Sequence, residues 1–230
     1  MSLMRRLAAE GLGSLLLAAT VVGSGIMAQR LAEGNAAVAL LANTGATVAV
    51  LGALITLLRP VSGAHFNPVV TLVMAMRREV RVAEASQYVL MQVAGCCIGA
   101  VLANVMFELP PVQISTHVRS GVAQWLGEFV ATFGLLLLIL GHRREHNIAW
   151  LVGAWIGAAY WFTSSTSFAN PAITLARSLS DTFSGIRPVD VAPFVLAQLM
   201  GALCALALSR WLFSGAGATA MASAQPRVEP

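Results

Sequence analysis

Charged residues are scarce in this chain of 230 residues, and lysine is absent from it. Only 10% of the residues are charged while 57% are apolar, and the mean hydropathy is +0.76. This balance lies outside the composition of ordinary soluble proteins and inside that of proteins that cross a membrane several times. The fourteen basic residues are all arginines, scattered in ones and twos. The net charge of +4 therefore forms no basic patch that would bind a nucleic acid.

Patterns typical of metal sites and catalytic sites are missing as well. The cysteines Cys96, Cys97 and Cys204 fall in apolar segments without a C-x-x-C spacing, so we expect them to be packing residues rather than metal ligands. No nucleophile, metal cluster or catalytic dyad that would face a pocket can be assembled from the sequence. We expect a protein that is not an enzyme and that needs no cofactor.

Six apolar segments alternate with joints that are polar or contain glycine or proline. About 20 helical residues cross a hydrocarbon core of about 30 Å, whereas the two further apolar pieces at 67–76 and 170–179 would cross only about half of it. We therefore predict an all-α membrane protein with six transmembrane helices and two re-entrant half helices, in one membrane domain (1–213) followed by a flexible tail (214–230). The spans are predicted at 7–28, 36–58, 84–107, 122–140, 147–164 and 190–213.

The distribution of arginines predicts the orientation in the membrane. If both termini are cytoplasmic, ten arginines lie inside and four outside, as the positive-inside rule favours. We expect an integral protein of a bacterial inner (plasma) membrane. The inside set is Arg5, Arg6, Arg59, Arg77, Arg78, Arg81, Arg143, Arg144, Arg210 and Arg227, and the outside set is Arg30, Arg119, Arg177 and Arg187.

The two halves of the chain repeat each other. SGAHFNPVVTL at 62–72 aligns without gaps on STSFANPAITL at 165–175, and YVLMQVAG at 88–95 aligns on FVLAQLMG at 194–201. Glu10 in the first span has its counterpart in Glu128 of the fourth. Because each half holds three spans, the second repeat (about 122–213) must enter the membrane upside down relative to the first (about 5–107). We expect the short helices to enter from opposite faces and to meet near the centre.

An Asn-Pro pair opens each short helix. Asparagine is among the best N-cap residues and proline is favoured at the first helical position, so Asn67-Pro68 and Asn170-Pro171 fix where the two helices begin. Each helix start presents about half a positive elementary charge, which repels cations. The two amide groups remain as donors, and a water that accepts from both turns its own hydrogens towards the exits. Such a water interrupts a proton wire.

Together these features resemble the aquaporin and aquaglyceroporin family, the major intrinsic proteins. The resemblance rests on the boxes SGAHFNPV and SFANPA, the repeat and the paired glutamates, and it covers nearly all of the chain except the tail. It implies a right-handed bundle of six tilted helices, a pore in each protomer and a homotetramer. It also implies a pore centre at Asn67, Pro68, Val69, Asn170, Pro171 and Ala172, with Val69 adding bulk, and a ladder of pore carbonyls from Gly63, Ala64, His65, Thr166, Ser167 and Phe168.

The outer selectivity filter departs from the family pattern. The residue after the second Asn-Pro-Ala is normally an arginine, and here it is Ile173. The family's spacing gives Thr47 on the second span, Ala158 on the fifth, and Ser167 or Phe168 on the loop as the remaining filter positions. We expect a wider and less polar mouth, which favours water, glycerol-like solutes and, by size and polarity, arsenous acid. Some bacterial members with altered filters accompany arsenic-resistance genes.

Arg177 lies one helical turn after Ile173, and side chains on a helix lean back towards its N-terminus. Its guanidinium can therefore reach back to the filter. Alternatively, it can extend to the outer membrane interface or pair with Asp181.

Glu10 and Glu128 lie inside their spans, where an ionisable group is costly and indicates a function. Re-entrant segments need acceptors for their backbone N–H groups, so we expect the glutamates to anchor the two loops. The alternative is a proton-coupled secondary transporter of a small neutral solute that uses them as a relay.

Overall fold

The computed structural model of the protein describes residues 1–142 and 147–214. In these two ranges the regular elements are helices, as predicted, and long and short ones follow each other in the order that the repeat requires. A 3₁₀ turn at Arg177–Leu179 extends the second half helix. The helices are α1 (Leu3–Leu31), α2 (Ala36–Ser62), α3 (Pro68–Met76), α4 (Val82–Met106), α5 (Val122–Gly141), α6 (Ile148–Phe162), α7 (Pro171–Ala176) and α8 (Pro188–Leu212).

Five of the helices are long and apolar enough to cross a membrane, namely α1, α2, α4, α5 and α8. Helix α6 is apolar but has only 15 residues, which corresponds to about 22 Å. The orientation prediction includes Arg143, Arg144 and Arg227, which lie outside the described residues. The predicted tail lies outside them too, except for Ser214.

Local sequence signals set the ends of several helices. Helix α2 begins after Asn35, whose side-chain oxygen accepts from the backbone N–H groups of Ala37 and Val38 at 3.1 and 3.2 Å. The same helix ends before Gly63, which has a left-handed φ of 94° that glycine adopts without a steric cost. Because α2 ends here, the chain can turn back into the bundle before α3 begins.

The outer surface of the bundle is apolar and its interior contains polar groups. Large apolar side chains such as Leu57, Leu90 and Leu196 are more than 60% exposed, whereas Gln92 and Gln198 are fully buried. This distribution is the reverse of that in a soluble protein and suits a lipid environment, because lipid gives polar groups no hydrogen-bonding partner. The chain is therefore an integral membrane protein.

Two glycines at matched positions of the repeat let helices approach closely. A Cβ atom added to Gly95 of α4 would lie 2.3 Å from the carbonyl oxygen of Gly11 in α1, and one added to Gly201 of α8 would lie 2.4 Å from that of Phe129 in α5. Small residues at such positions allow backbone contact within a membrane bundle. The α1–α4 and α5–α8 contacts are thus equivalent close helix packings, one in each half of the repeat.

We expect Gly95→Ala to lower stability by about 1–3 kcal/mol, because the added methyl forces α1 and α4 apart. The melting temperature of the detergent-solubilised protein, followed by circular dichroism, measures this change. Gly52→Ala is the matched control, because nothing lies within 4 Å of the added Cβ atom and alanine is the better helix former. Equal melting temperatures in the two variants would contradict the prediction.

Candidate functional site

The segments that precede the two half helices share an unusual backbone. Ala64 and Phe66 in the first segment, and Ser167 and Ala169 in the second, have φ angles between 48° and 53°. These positions correspond in the repeat. A left-handed conformation is uncommon and costly for residues other than glycine, so the surrounding bonds must hold it in place. Such local strain is typical of functional loops.

Glu10 holds the first of these segments. Its Oε1 accepts from the backbone N–H of His65 at 3.0 Å and from the hydroxyl of Ser62 at 2.6 Å, and its Oε2 accepts from the N–H of Phe66 at 2.8 Å. The side-chain amide of Gln92 donates to Oε2 at 2.8 Å. Glu10 is fully buried, and all four of these partners are donors, as suits a carboxylate.

Glu128 holds the second segment in the same way. Its two carboxylate oxygens accept from the N–H groups of Phe168 at 2.8 Å and Ala169 at 2.9 Å, and the amide of Gln198 donates to it at 2.6 Å. Phe168 and Ala169 occupy the positions of the repeat that His65 and Phe66 hold in the first half. The geometry supports the anchoring role expected for both glutamates.

The two asparagines meet at the start of the half helices. The Oδ1 atom of Asn67 caps α3 by accepting from the N–H two residues on at 3.1 Å, and that of Asn170 caps α7 in the same way at 3.0 Å. Each side-chain amide crosses to the other segment: Asn67 donates to the carbonyl of Ala169 at 2.7 Å, and Asn170 to that of Phe66 at 2.8 Å. One amide hydrogen of each asparagine therefore ties the two halves together.

A cavity of about 760 Å³ runs past both asparagines. One wall consists of a stripe on α2 that extends from Thr47 to Arg59, about 18 Å along the helix. A parallel stripe on α6 extends from Ile148 to Tyr160. The members of each stripe are four residues apart and mostly apolar. The other wall is formed by the two loop segments, so the cavity has an apolar side and a polar side. Its lining includes Leu51, Ile55, Val152, Ile156, Gly63, Ala64, His65, Phe66, Asn67, Ser167, Phe168, Ala169, Asn170 and Ile173.

At one end the cavity reaches Arg177, Thr47, Tyr160, Ser167 and Phe168. Residues of the connecting segments 107–121 and 178–187, which the structure describes in full, do not line it. The hydroxyl of Thr47 lies 3.3 Å from that of Tyr160. This end of the cavity thus combines three hydroxyl groups and a guanidinium with apolar side chains.

The guanidinium of Arg177 lies at this end of the cavity, buried within the bundle. Its Cζ is 3.4 Å from the centroid of the Phe168 ring, and its Nε donates to the carbonyl of Ser184. The side chain is buried, and Nη1 has no hydrogen-bond partner among the described residues. Asp181 instead accepts from the N–H of Thr116 at 2.7 Å. The alternative in which Arg177 extends outwards or pairs with Asp181 is wrong.

The placement of Ala158 in the filter is also wrong. Ala158 is exposed on the outer face of α6, and Tyr160 faces the cavity beside Thr47. Two residues along a helix correspond to a rotation of about 200°, so these side chains point in opposite directions. The spacing of four from Ile148 through Val152 and Ile156 to Tyr160 is the signal that would have identified the correct face. With Tyr160 and Arg177 present, the mouth is more polar than predicted.

Four of the predicted pore-centre residues do not line the cavity. Val69 and Ala172 are fully buried, so the extra bulk of Val69 packs against protein and does not narrow the passage. Pro68 and Pro171 form the first turns of α3 and α7. Thr166 also lies away from the cavity, unlike the predicted carbonyl positions Gly63, Ala64 and His65.

A second buried arginine, Arg119, was not predicted to belong to this region. Its Cζ lies 5.0 Å from the centroid of the Phe168 ring, and its Nη1 donates to the carbonyl of Ser165 at 3.3 Å. Burial lowers the pKa of Arg119 from its ordinary value to about 10, so the side chain stays charged at neutral pH. Burial and the charges of Arg119 and Arg177 lower the pKa of His117, which favours its neutral form.

The helices and the cavity define the class of protein. Apolar helices enclose a polar-lined path that passes between two half helices, which is the architecture of a membrane channel. The family model described as Major intrinsic protein matches residues 1–161 and again residues 142–229. The chain belongs to the major intrinsic protein family.

Relatives and a solved structure agree with this assignment. Aquaglyceroporin AqpS of Rhizobium meliloti is 56% identical over 216 residues, which cover 93% of this chain and 92% of the relative. Aquaporin AqpM of Methanothermobacter marburgensis is 26% identical over 243 residues, which cover 93% and 99%. The X-ray structure of the aquaglyceroporin from Plasmodium falciparum has the same fold, with a TM-score of 0.65 at 20% identity over 89% of this chain and 94% of that one. The protein is a channel for water and small solutes and not an enzyme.

We expect Glu128→Gln to destabilise the second loop by about 1.5–3 kcal/mol. A glutamine has one acceptor oxygen where Glu128 has two, so the N–H of Phe168 or that of Ala169 loses its partner. The melting temperature and the osmotic water permeability of reconstituted protein should both fall. Glu33→Gln, at an exposed position, is the control and should change neither. Full water permeability and an unchanged melting temperature in Glu128→Gln would show that the anchor is dispensable.

The correction at α6 can be tested with two substitutions. We expect Tyr160→Phe to change the ratio of glycerol to water permeability by roughly two- to tenfold, because it removes a hydroxyl beside Thr47 at the Arg177 end of the cavity. Ala158→Val should leave the ratio as it is, because that side chain faces outwards. Stopped-flow light scattering on proteoliposomes measures both rates. A changed permeability ratio in Ala158→Val together with an unchanged ratio in Tyr160→Phe would show that Ala158, and not Tyr160, belongs to the filter.

Proposed function

We propose that the protein is a passive channel for water and small uncharged hydroxylated solutes, of the size of glycerol and including arsenous acid. The observation that carries this proposal is the composition of the cavity at the end where Arg177 lies. There Arg177 Nη1 and Ser167 Oγ are buried without a partner among the described residues, and Ile173 and Phe168 are apolar neighbours. A buried donor that lacks a partner costs free energy, and the oxygen of a passing solute satisfies it.

The two walls of the cavity suit such a solute. A polyol has a hydroxylated edge and a C–H edge. Its hydroxyls replace their water contacts with the polar wall, which includes His65 and Asn67, while its carbons lie against Leu51 and Ile156. An ion has no apolar edge and would lose most of its hydration shell, which costs far more than the loop groups return. This difference favours uncharged solutes.

Protons and cations are excluded at the paired Asn-Pro boxes in this proposal. Asn67 and Asn170 each use one amide hydrogen for the opposite segment, and each retains a second hydrogen as a donor. A water that accepts from both amides points its hydrogens away from the centre, so a chain of donors cannot pass through in one direction. The positive ends of α3 and α7 add a barrier to cations.

A passive channel accounts for the glutamates better than a proton-coupled transporter does. Neither Glu10 nor Glu128 lines the cavity, and each carboxylate has donors bound to both of its oxygens. A relay acid must exchange its proton with water or solute, whereas these two hold backbone N–H groups. A carrier would reveal itself through solute uptake against a gradient that collapses with a proton uncoupler.

The setting that we propose is a bacterial inner membrane, with both termini in the cytoplasm and one channel domain (1–213) per protomer of a homotetramer. The exposed face of α2 supports the tetramer, because Gly45, Ala49 and Ala53 recur there at a spacing of four. Small residues at this spacing favour helix contact within a bilayer. Mass measurement of the native detergent complex distinguishes one protomer from four.

The passive mechanism predicts how the reconstituted protein behaves. Proteoliposomes should show faster osmotic water flux and faster glycerol and arsenous acid entry than empty vesicles, and an uncoupler should leave all three rates unchanged. Stopped-flow light scattering follows water and glycerol, and arsenic analysis of filtered vesicles follows arsenous acid. Rates equal to those of empty vesicles would refute the channel proposal for that solute.

The role of Arg177 can be tested by its removal. We expect Arg177→Ala to raise the permeability of erythritol relative to glycerol and to admit methylammonium, with changes of roughly tenfold, because the mouth loses bulk and a fixed charge. Arg177→Lys keeps the positive charge and should therefore admit less methylammonium than Arg177→Ala does. Arg30→Ala, at an exposed position, is the control. Wild-type selectivity in Arg177→Ala would leave the arginine without a role in the filter.

A further inference from the structure

Three consecutive carbonyls between α7 and α8 hold both buried arginines. The carbonyl of Ser184 accepts from Arg177 Nε. Those of Phe183 and Gly185 accept from Arg119, from Nη2 at 3.3 Å and from Nε at 2.7 Å respectively. The two guanidinium groups carry like charges and contact the same ring. The carbonyl oxygens of this turn, residues 183–185, provide partial negative charge that keeps the two cations close together.

The turn rests on α1, far away in the sequence. The hydroxyl of Ser184 donates to the carbonyl of Val21 at 3.1 Å, and the N–H of Phe183 donates to the side-chain oxygen of Gln29 at 3.0 Å. Between these two contacts α1 has Gly25, and a Cβ atom there would lie 2.1 Å from Ser184 Oγ. The absence of a side chain at Gly25 is what allows the turn to lie so close to the helix.

We propose that the turn 183–185 is the positioning element of the outer filter, and that Gly25 and Gln29 determine selectivity although neither lines the cavity. The proposal rests on the role proposed above for Arg177. Ser184 fixes the position of Arg177 Nε, and the Phe168 ring fixes the plane of the guanidinium group. Nη1 therefore remains available to donate a hydrogen bond to the solute. A shift of the Ser184 carbonyl by roughly an ångström breaks the first contact, since hydrogen bonds lie within a narrow range of distances.

Gly25→Ala is the substitution that tests this positioning. Its methyl group cannot remain 2.1 Å from Ser184 Oγ, because non-bonded atoms separate to about 3.5 Å or more, so the turn must move outwards. We expect Gly25→Ala to cause the same changes as Arg177→Ala but smaller ones, namely about a threefold rise in the ratio of erythritol to glycerol permeability and a measurable methylammonium leak. Gly23→Ala, two residues away, is the matched control, because its added Cβ would meet only ordinary contacts at 3.4 Å and 3.8 Å.

Two further variants separate positioning from general damage. Gly25→Ala combined with Ser184→Ala removes the clashing hydroxyl, together with its bond to Val21, while it keeps the Ser184 carbonyl and the Gln29 contact. The permeability ratio should therefore return part of the way from the Gly25→Ala value towards that of the wild type. Gln29→Ala removes an exposed side chain that holds the turn from the other side, and it should shift the ratio in the same direction as Gly25→Ala. The fold of each variant is checked by size-exclusion chromatography before reconstitution.

The experiments distinguish a failure of this inference from a failure of the proposed function. If Arg177→Ala leaves selectivity unchanged, the role of Arg177 fails and this inference fails with it. If Arg177→Ala changes selectivity, two results overturn this inference alone. The first is a wild-type erythritol-to-glycerol ratio in both Gly25→Ala and Gln29→Ala. The second is a wild-type ratio in Gln29→Ala when the Gly25→Ala protein does not fold. A shifted ratio in Gln29→Ala, with recovery in the double variant, supports it.

Discussion

Backbone N–H groups at the depth of the hydrocarbon core need acceptors that lipid does not offer, and Glu10 and Glu128 provide them. Each carboxylate binds two consecutive N–H groups of a loop that would otherwise be unsatisfied. The left-handed residues of the two loops depend on these bonds, because each such conformation costs of order 1–3 kcal/mol and persists only when its surroundings enforce it. The polar wall of the cavity is built on these loops.

From this anchor the remaining polar contacts follow in order. Because the two loops are held at the same depth, Asn67 reaches the carbonyl of Ala169 and Asn170 reaches that of Phe66. These bonds close the contact between the halves of the repeat and set the positions of α3 and α7. The apolar stripes of α2 and α6 then face the loops across a space that has one polar and one apolar side. The proposed selection for small hydroxylated solutes rests on that asymmetry.

The outer end breaks the symmetry of the repeat. His65 and Phe168 occupy equivalent positions and each makes an edge contact with an aromatic ring, Tyr88 or Phe194. Only Phe168 also has guanidinium groups against its ring, those of Arg119 and Arg177. In the proposed filter, Arg177 from the next helical turn takes the place of the arginine that the family pattern puts at Ile173. Its position depends on the Ser184 carbonyl and therefore on how the outer turn rests on α1.

The sequence alone determined the features that depend on neighbouring residues. The Asn-Pro caps fixed the starts of both half helices, the apolar runs fixed the long helices to within a few residues, and the repeat implied the inverted arrangement. The caps and the apolar runs follow from bonds or periodicities that span a few positions of the chain. The bonds of Glu10 and Glu128 span 40 to 56 residues, but their anchoring role could be expected because the two glutamates match in the repeat and the loop N–H groups need acceptors within lipid.

Tertiary structure decided which side chains face the cavity. The rotation of α6 about its axis, set by packing against α2, brought Tyr160 into the cavity beside Thr47 and turned Ala158 outwards. The place of Arg177 depends on a turn whose bond to Val21 joins residues 163 positions apart, and Arg119 enters from a separate loop. Contacts over such separations leave no periodic trace in the sequence, so only the folded chain could reveal them.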